Sequence, residues 1–410
     1  MQRRRLMFTL AAFTALAQAA ACGARDETAP VGPMADNALF DGKGPSNPAS
    51  IREGRDIFRF DTFGDETFWT DTMRMHEVIR ENVSPATALS VGLKVDVNAL
   101  PQAIRDGIVN KTVDLASPAT TVALLKLGAV VGVKGEVDAN NTLTRVGITC
   151  ALCHSTVDNS FAPGIGNRLD GWPNHDLDVG KIVALSPTPT PAQKDVYNSW
   201  GPGMYDPRFN IDGLNMPVVI PPAFGLRNVK REIYTGDGPV SYWNAYVAIT
   251  QMHGHGHFSD PRIGVDVDNT PPDLVSSKLD ALRAYQFSLE TPQAPGANSA
   301  AAKRGEDVFE NAANCASCHS GKEFTDVNQN RLHVPAEVGQ SAAYAERSAT
   351  KLYRTTPLRG LWHPPQLQGP YFHDGNAATL EAVVAHYTRL FNLTLTTQQR
   401  SDLVAYLKTL

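Results

Sequence analysis

Cys150-Ala151-Leu152-Cys153-His154 recurs later in the chain as Cys315-Ala316-Ser317-Cys318-His319. Each stretch has two thiols three positions apart, followed directly by a histidine. Cys-x-x-Cys-His is the attachment sequence of c-type haem, in which the thiols bond to the two vinyl groups of one porphyrin and the histidine binds the iron. The motifs predict two covalently bound haem c groups, held by Cys150, Cys153 and His154 and by Cys315, Cys318 and His319.

Two other uses of paired cysteines, a disulfide or redox dithiol and a zinc site, fit the sequence less well. A structural zinc site needs four clustered ligands, whereas the two cysteine pairs lie far apart in the chain and Cys22 is the only other cysteine. A redox dithiol does not need the histidine that follows each pair here.

The composition is that of an ordinary globular protein. The chain has 410 residues, of which 42% are hydrophobic and 19% are charged, and this length suffices for two or more domains. The formal net charge of −5 is mild. It argues against a nucleic-acid partner and against binding to an anionic membrane surface.

The N-terminus predicts export. Arg3-Arg4-Arg5 precedes an apolar run at residues 6–20 that is too short to span a bilayer comfortably, so residues 1–22 are predicted to be a signal peptide. Small residues before Cys22 resemble a lipoprotein cleavage box, although Ala19 stands where leucine is usual. A lipid on Cys22 and ordinary cleavage at the alanine run are equal alternatives, and both place the protein in a bacterial periplasm or on the outer surface.

Beyond a flexible tether at residues 23–50, two repeats divide the chain into two units. Gly54-Arg55-Asp56-Ile57-Phe58 recurs as Gly305-Glu306-Asp307-Val308-Phe309, and the helical pattern at residues 282–289 recurs at 403–410. We therefore predict an N-terminal haem domain at residues 51–290 and a C-terminal haem domain at 300–410. The breaker-rich residues 291–298 form the linker between them.

The first unit contains a long insertion before its haem motif. Residues 68–79 have the pattern of one helix. Residues 129–149 alternate on both sides of Asp138-Ala139-Asn140-Asn141, which predicts a β-hairpin. Residues 159–240 contain many glycines and prolines and predict mostly loop.

The repeated segments resemble the first and last helices of the cytochrome c domain, which cross where a glycine lets the backbones approach. The resemblance implies that Gly54 and Phe58 meet Tyr285, and that Gly305 and Phe309 meet Tyr406. The expected fold is mainly α, with two cytochrome c-like domains, the first enlarged by long loops and a small β-hairpin.

The C-terminal unit is similar to that of the bacterial di-haem cytochrome c peroxidase and MauG superfamily, through the stretches at residues 356–362 and 369–375 (Gly-Pro-Tyr-Phe-His-Asp-Gly). In the peroxidases a methionine after Phe-His-Asp-Gly binds the electron-transfer haem, but the last methionine here is Met252. Tyr387 stands at the matching place, as in MauG-type members, whereas related rubber-cleaving oxygenases use a histidine, for which His373 is suited. Tyr387 and His373 remain alternatives, with His386 third.

The loop Gln251-Met252-His253-Gly254-His255-Gly256-His257 is the predicted distal group of the first haem. We expect it to be mobile and to place His253 or His255 over the iron, as a ligand or as the acid–base group that a peroxidase needs. A small metal site and a solvated loop are the alternatives. His76, on the early helix, is a further distal candidate.

The resemblance also suggests a role for a tryptophan and for a calcium ion. A tryptophan between the haems carries electrons in this superfamily, and Trp172 lies closest in sequence to the first motif. Di-haem peroxidases hold calcium between domains, but the acidic loop with Asp266, Asp268 and Asp273 lacks the glycine and final glutamate of a calcium hand. We assign no calcium ligand.

The expected function is that of an oxidoreductase. Electrons from a small periplasmic donor enter at the C-terminal haem and pass to the N-terminal haem, where hydrogen peroxide reacts at an open iron position. One alternative is a non-enzymatic electron-transfer cytochrome with both irons six-coordinate. Another is a MauG-like or rubber-oxygenase-like oxidase, which the missing methionine favours.

Overall fold

The computed structural model describes residues 47–294, 299–362 and 369–410. The predicted signal peptide with Cys22, almost all of the tether and half of the linker lie outside these ranges. The described chain is mainly helical, as predicted, and its strands form only two-stranded sheets. No helix in these three ranges is both long enough and apolar enough to cross a membrane.

The helices are short and follow the chain in this order. They are α1 (Pro48–Phe60), α2 (Met75–Asn82), α3 (Pro85–Ser90), α4 (Gln102–Val109), α5 (Pro118–Lys126), α6 (Ala151–His154), α7 (Val179–Ala184), α8 (Pro191–Asn198), α9 (Phe209–Asp212), α10 (Val240–Tyr246), α11 (Leu279–Ser288), α12 (Ala300–Asp307), α13 (Ala342–Glu346), α14 (Leu380–Leu390) and α15 (Thr397–Leu407).

The strands lie before α12, and all of them except β1 and β5 pair with a strand that is close in sequence. They are β1 (Val95–Asp96), β2 (Val133–Val137), β3 (Leu143–Ile148), β4 (Ser155–Val157), β5 (Ile165–Gly166), β6 (Arg168–Asp170), β7 (Met204–Tyr205), β8 (Val218–Val219), β9 (His257–Asp260) and β10 (Val265–Asp268). The pair β1–β5 is parallel, and β2–β3, β4–β6, β7–β8 and β9–β10 are antiparallel.

Helix α1 crosses α11 at a glycine. It begins where the Asn47 side chain accepts a hydrogen bond from the backbone N–H of Ala49. A Cβ on Gly54 would lie 1.8 Å from the carbonyl oxygen of Ala281, so only glycine allows this approach. Phe58, which is fully buried, packs edge-on against Tyr285 with ring centroids 5.5 Å apart. The predicted contact of Gly54 and Phe58 with Tyr285 is confirmed.

Helix α12 crosses α15 in the same way. A Cβ on Gly305 would lie 1.9 Å from the carbonyl oxygen of Asp402. The rings of Phe309 and Tyr406 pack at 5.3 Å, as predicted. Arg304 adds a bidentate ion pair to Asp402 with both N–O distances at 2.8 Å. In both units, the helix that precedes the haem motif (α1 or α12) packs tightly against the last helix of that unit (α11 or α15).

The predicted hairpin is present and positions the first haem motif. Strands β2 and β3 pair antiparallel, and the Asp138 carboxylate accepts the backbone N–H groups of Asn140 and Thr142 in the turn. At the end of β3 the Thr149 hydroxyl donates to the carbonyl oxygen of Arg59 at 3.1 Å. The hairpin therefore delivers Cys150 to the end of α1.

The predicted helix at residues 68–79 is wrong as a single element. A π-helical turn spans Thr67–Thr72, and α2 begins at Met75. Arg74 between them has a φ of 54°, in the left-handed region, which a continuous right-handed helix does not allow. The apolar residues of both segments pack against β3, as their pattern indicated. Their spacing did not reveal the break at Arg74.

The helix crossing predicts the cost of filling its glycine. Gly305→Ala should lower the free energy of unfolding by about 1–3 kcal/mol, the usual cost of overpacking, because the backbone carbonyl of Asp402 cannot move aside as a side chain could. The helix preference of alanine offsets about 1 kcal/mol of this. Urea denaturation followed by circular dichroism measures it, and the exposed Glu306→Ala on the same helix is the control. A Gly305→Ala protein as stable as wild type would mean that α12 and α15 do not cross here.

Candidate functional site

The first haem motif forms a single turn pressed against the hairpin. Cys150 precedes α6, and the backbone N–H of His154 donates to the Cys150 carbonyl at 3.2 Å. Gly132, at the start of the hairpin, allows this approach because a Cβ there would lie 2.1 Å from the backbone nitrogen of Leu152. The turn brings both thiols and the histidine to one wall of a cavity.

This cavity, which we call the first cavity, has a volume of about 590 Å³. It lies within the range of about 300–1,000 Å³ that is usual for ligand sites. Its walls are largely apolar and aromatic, which suits the face of a porphyrin. Besides Cys150, Cys153 and His154, it is lined by Phe68, Trp69, Met73, Met75, Trp243, Met252 and other side chains.

His154 has the tautomer and orientation of a metal ligand. Its Nδ1 lies 3.1 Å from the carbonyl oxygen of Pro221. Burial lowers the pKa of His154 to about 4, although the Pro221 carbonyl acts in the opposite direction, so the ring is neutral at physiological pH. A neutral imidazole that donates Nδ1–H to a backbone carbonyl keeps the lone pair of Nε2 for a metal.

The cysteines are suited to covalent attachment. All four described cysteines are free thiols, so the structure gives no support to a disulfide. Burial raises the pKa of Cys150 and of Cys153 to about 12, and burial likewise raises the pKa of Cys315 to about 11.

The second motif repeats the arrangement of the first. Cys315–Ser317 forms a tight turn, and the backbone N–H of His319 donates to the Cys315 carbonyl at 2.9 Å. Nδ1 of His319 lies 3.1 Å from the carbonyl oxygen of Phe324, and burial lowers the pKa of His319 to about 4. Both predicted iron ligands therefore have Nδ1 held by a backbone carbonyl on a neutral ring, and the backbone of Thr356 makes a further hydrogen bond to His319.

Tyr387 lies beside the second motif. Burial and, to a smaller extent, the charges of Cys318 and Cys315 raise the pKa of Tyr387 to about 12, so the phenol interacts electrostatically with both cysteines of the second motif. Its ring stacks on Phe391 with centroids 5.9 Å apart and packs edge-on against Phe372. Helix α14 thus holds Tyr387 near the second motif, and the role of Tyr387 as an iron ligand stays a prediction.

His373 does not have the free nitrogen that its alternative role requires. Nδ1 lies 3.0 Å from Oε1 of Gln340, and Nε2 lies 3.2 Å from the hydroxyl of Tyr353. The ring is 4% exposed and packs among tyrosines. His386, the third candidate, has Nε2 at 3.2 Å from the Val338 carbonyl. Tyr387 is the candidate that the geometry favours.

The loop at residues 251–257 separates its histidines. His253 lines the first cavity, where its ring stacks on Phe68 with centroids 3.6 Å apart, and burial lowers the pKa of His253 to about 4. His255 is not among the side chains that line this cavity in the described residues, since its ring packs against Gly64. His257 is exposed and paired with Asp266.

The same loop is not the mobile segment that its glycines predicted. The backbone N–H of His255 donates to the Phe63 carbonyl at 2.8 Å, and that of Gly254 donates to the Ala248 carbonyl at 2.8 Å. The Asn269 side chain donates to the carbonyl of Gly254. These hydrogen bonds hold His253 in the wall of the cavity at a φ of 65°.

Gln251 and Tyr205 are cavity residues that the sequence did not reveal. Gln251 precedes the histidine loop, and its Oε1 accepts the Tyr205 hydroxyl while its Nε2 donates to Asn210 at 3.1 Å. Both side chains line the first cavity. The position of Gln251 next to Met252-His253 was the only signal, and Tyr205 lies in a stretch without any motif.

The other predicted residues lie away from the first cavity. Among the described residues, Trp172 and His76 are absent from its lining. Trp172 packs against Phe224 and Trp362, with centroids 5.1 and 5.8 Å away. Asp266 and Asp268 lie on β10, where Asp268 accepts hydrogen bonds from Thr270.

A buried carboxyl group lies behind the first motif. Asp65 is fully buried, and its oxygens lie 3.3 Å from the backbone nitrogen of Ile148. Burial, together with the negative charge of Glu66, raises the pKa of Asp65 to about 9. Asp65 is therefore a neutral acid at physiological pH.

Comparison with known proteins supports the resemblance. Residues 302–410 match the cytochrome c family. The chain is 33% identical over 155 residues to the methylamine utilization protein MauG of Methylorubrum extorquens. This alignment covers 32% of this chain and 42% of that protein. Over 154 residues it is 29% identical to the cytochrome-c peroxidase IdrP1 of Denitromonas iodatirespirans, which is 28% of this chain and 41% of that protein.

The chain spans less than half the length of these relatives. A solved structure of a MauG-like protein associated with microbial copper homeostasis aligns with a TM-score of 0.33 and 19% identity, over 48% of this chain and 74% of that chain. The family match alone shows that residues 302–410 carry a cytochrome c domain. The predicted similarity to the MauG and cytochrome c peroxidase proteins is confirmed.

The buried acid predicts a pH dependence of stability. The unfolded chain releases the Asp65 proton at about pH 4, whereas the folded chain keeps it until about pH 9, so the unfolded state binds fewer protons between these values. Stability should fall with rising pH, by at most about 1.4 kcal/mol per pH unit. Asp65→Asn should remove this fall, so the free energy of unfolding of the variant should increase relative to that of wild type as the pH rises.

Urea denaturation of both proteins over this pH range measures the difference. Asp71→Asn, at an exposed carboxylate near the same hairpin, controls for the loss of one negative charge. Parallel stability curves for wild type and Asp65→Asn would mean that Asp65 is ionised in the folded protein.

Proposed function

We propose that this chain is an exported di-haem c-type cytochrome that reduces hydrogen peroxide at the first cavity with electrons that enter at the second haem. One observation supports the catalytic part above all: His253 lines the same cavity as Cys150, Cys153 and His154. An imidazole and a Cys-x-x-Cys-His motif therefore face one apolar cavity. The cytochrome c match and the peroxidase and MauG relatives support haem oxidoreductase chemistry.

The side chains at both motifs fit the attachment of haem. Cys150 and Cys153 would hold one porphyrin and Cys315 and Cys318 the other, while His154 and His319 would bind the irons through Nε2. Haem supplies a redox-active iron that exchanges single electrons and binds small oxidants. The carbonyls of Pro221 and Phe324 fix the orientation of the two imidazoles.

His253 is proposed to move the protons. Its neutral ring accepts a proton from hydrogen peroxide when the peroxide enters the cavity, and the resulting imidazolium returns the proton to the departing oxygen. Two electrons and two protons convert one peroxide into two waters. Gln251, held by Tyr205 and Asn210, adds a fixed amide to the same wall. The apolar lining excludes bulk water, which strengthens these polar interactions.

The C-terminal unit is proposed to be the electron entry. His319 and Tyr387 would bind the second iron, which gives a lower potential than methionine ligation. The two glycine helix crossings support a division into haem domains at residues 51–290 and 300–410. Because c-type haem is attached outside the cytoplasm, we place the protein in the periplasm or on the outer surface, with a small periplasmic electron donor as its partner.

A second function has one observation in its favour. The thioethers of Met73, Met75 and Met252 all line the first cavity. If one of them binds the first iron, both irons are six-coordinate and the protein is an electron-transfer cytochrome without a substrate. A MauG-like oxidase is a third candidate, favoured by Tyr387 in place of methionine, and it would consume peroxide without turnover of a simple electron donor.

Mass and spectra of the purified protein test the proposal. The intact chain should carry two covalent haems, and the double variant Cys150→Ala, Cys153→Ala should carry one. The ferric or half-reduced protein should show a high-spin haem that binds cyanide, and this signal should be absent from the double variant. A second haem that is low-spin without a sulfur-ligand band is expected from Tyr387. Two low-spin haems that bind neither cyanide nor carbon monoxide would contradict the peroxidase and favour the electron carrier.

The proposed base predicts a selective loss of peroxide turnover. His253→Gln should lower kcat/KM for hydrogen peroxide by about 100-fold or more, the usual contribution of a positioned proton-transfer group. The exposed His257→Gln, four residues away, is the matched control and should keep its activity. If His253 instead binds the iron, the variant will change the spin state of the first haem. Unchanged turnover would exclude His253 as the base.

A further inference from the structure

The segment from β7 to β8 forms one wall of the first cavity. It begins and ends in the paired strands Met204–Tyr205 and Val218–Val219, with α9 between them. We call residues 204–219 the β7–β8 loop. The side chains that it contributes to the lining of the cavity are Tyr205, Asp206, Pro207, Phe209, Asn210, Val218 and Val219. The shape of the cavity therefore depends on where this loop is held.

Helix α13, which belongs to the C-terminal unit, packs against the β7–β8 loop. Val218 and Met216 of the loop share one apolar cluster with Tyr344 and Ala345 of α13, and Ala345 is fully buried. Helix α13 lies within the residues that match the cytochrome c family, whereas the loop follows the first motif in the chain. Arg347, directly after α13, adds charged hydrogen bonds to this apolar contact.

Arg347 holds two carboxylates of the β7–β8 loop at once. Its guanidinium donates to both oxygens of Asp206 at 3.0 Å, and to the two oxygens of Asp212 at 2.8 and 2.9 Å. A further hydrogen bond at 3.3 Å goes to the carbonyl of Leu214. The Arg347 side chain is 4% exposed and that of Asp206 is fully buried. A planar guanidinium suits such bidentate pairing, which a lysine cannot reproduce.

The same loop fixes the turn that leads to His253. The Tyr205 hydroxyl donates to Oε1 of Gln251, and Nε2 of Gln251 donates to Oδ1 of Asn210 at 3.1 Å. Nδ2 of Asn210 donates in turn to the carbonyl of Thr250 at 2.9 Å. Thr250 and Gln251 end a π-helical turn, and His253 follows two residues later. The position of the loop therefore sets the position of this turn.

We propose that Arg347 is a positioning residue for the first cavity, because it holds the β7–β8 loop so that Tyr205 and Asn210 fix Gln251 and the turn before His253. This inference rests on the proposed function, in which His253 moves the protons. Arg347 itself is absent from the lining of the cavity in the described residues, so it acts through the loop. The C-terminal unit thereby completes the site of the first unit.

The charges explain why the loop depends on Arg347. Without the guanidinium, the carboxylates of Asp206 and Asp212 remain without their cation, and a buried charge that has lost its partner is strongly destabilising. Arg208, two residues after Asp206, cannot replace Arg347, because its guanidinium is paired with Asp237 at 2.9 Å. The carboxylates should then move toward water and take the loop away from the cavity wall.

Hydrogen exchange of the full chain with haem bound tests the positioning without any turnover. In Arg347→Met, the amides of residues 204–219 and 247–253 should exchange at least about tenfold faster than in wild type, because the loop and the turn open locally. The spectrum of the first haem should change, whereas that of the second haem should not. Arg304→Met removes a bidentate pair to Asp402 outside the loop and should leave both segments unchanged. Wild-type exchange at residues 247–253 in Arg347→Met would overturn the proposal.

Peroxide turnover then shows whether Arg347 acts through Tyr205. Arg347→Met should lower kcat by about 100-fold, the usual result when a catalytic group is misplaced by about 1 Å, with KM within a few-fold of wild type. Tyr205→Phe removes only the hydroxyl that donates to Gln251 and should lower kcat by about tenfold. In the double variant the two losses should not multiply, since the loop is already displaced. Losses that multiply would contradict the proposal, because the two residues would then act independently.

The outcomes separate this proposal from the peroxidase. If wild type binds cyanide without turning over peroxide, the rate of cyanide binding at the first haem replaces kcat in the same comparison of variants. Faster exchange at residues 247–253 in Arg347→Met would then support the positioning role while the peroxidase fails. Slow turnover with wild-type exchange would have the reverse meaning. If Arg347→Met does not fold, Arg347→Lys keeps the charge without the paired geometry and should show smaller changes in the same direction.

Discussion

Two hydrogen bonds fix the orientation of the two predicted iron ligands. They run from Nδ1 of His154 to the carbonyl of Pro221 and from Nδ1 of His319 to the carbonyl of Phe324. Each fixes one nitrogen of a ring that burial keeps neutral. A Cys-x-x-Cys-His turn alone does not specify this, since an exposed imidazole could rotate or take up a proton. The remainder of each unit supplies the carbonyl, the burial and the support for the turn.

The two carbonyls come from very different places in the chain. Phe324 lies five residues after His319, so the second site is built locally. Pro221 lies 67 residues after His154, so the first site depends on the long segment that returns over the motif and also lines the cavity. The space between the motif and the returning segment is the first cavity, whose wall includes His253, whereas Tyr387 is the side chain that interacts with the cysteines of the second motif.

Burial assigns different roles to histidines that look alike in sequence. His253, His255 and His257 alternate with glycines, but backbone hydrogen bonds and the start of β9 send them to three environments: the cavity wall, the packing against Gly64 and the solvent. His373 lies in a motif that suggests iron ligation, yet both its nitrogens are occupied. The number of histidines near a haem motif is therefore a poor predictor of the iron ligand, since a histidine can bind iron only through a ring nitrogen that has no other partner.

Features that depend on neighbours in the chain could be predicted before the fold was known. These include the two Cys-x-x-Cys-His motifs, the hairpin around Asp138, and the glycine and aromatic residues of the helix crossings at Gly54 and Gly305, because their spacing is local and their chemistry is specific. The distant groups that meet these motifs became visible in the folded chain alone. The break at Arg74, the separation of His253 from His255, the cavity positions of Gln251 and Tyr205, and the pairing of His373 with Tyr353 depend on packing and hydrogen bonds between segments far apart in the chain. No periodicity or spacing encodes such contacts, because each is fixed by the backbone path of another segment.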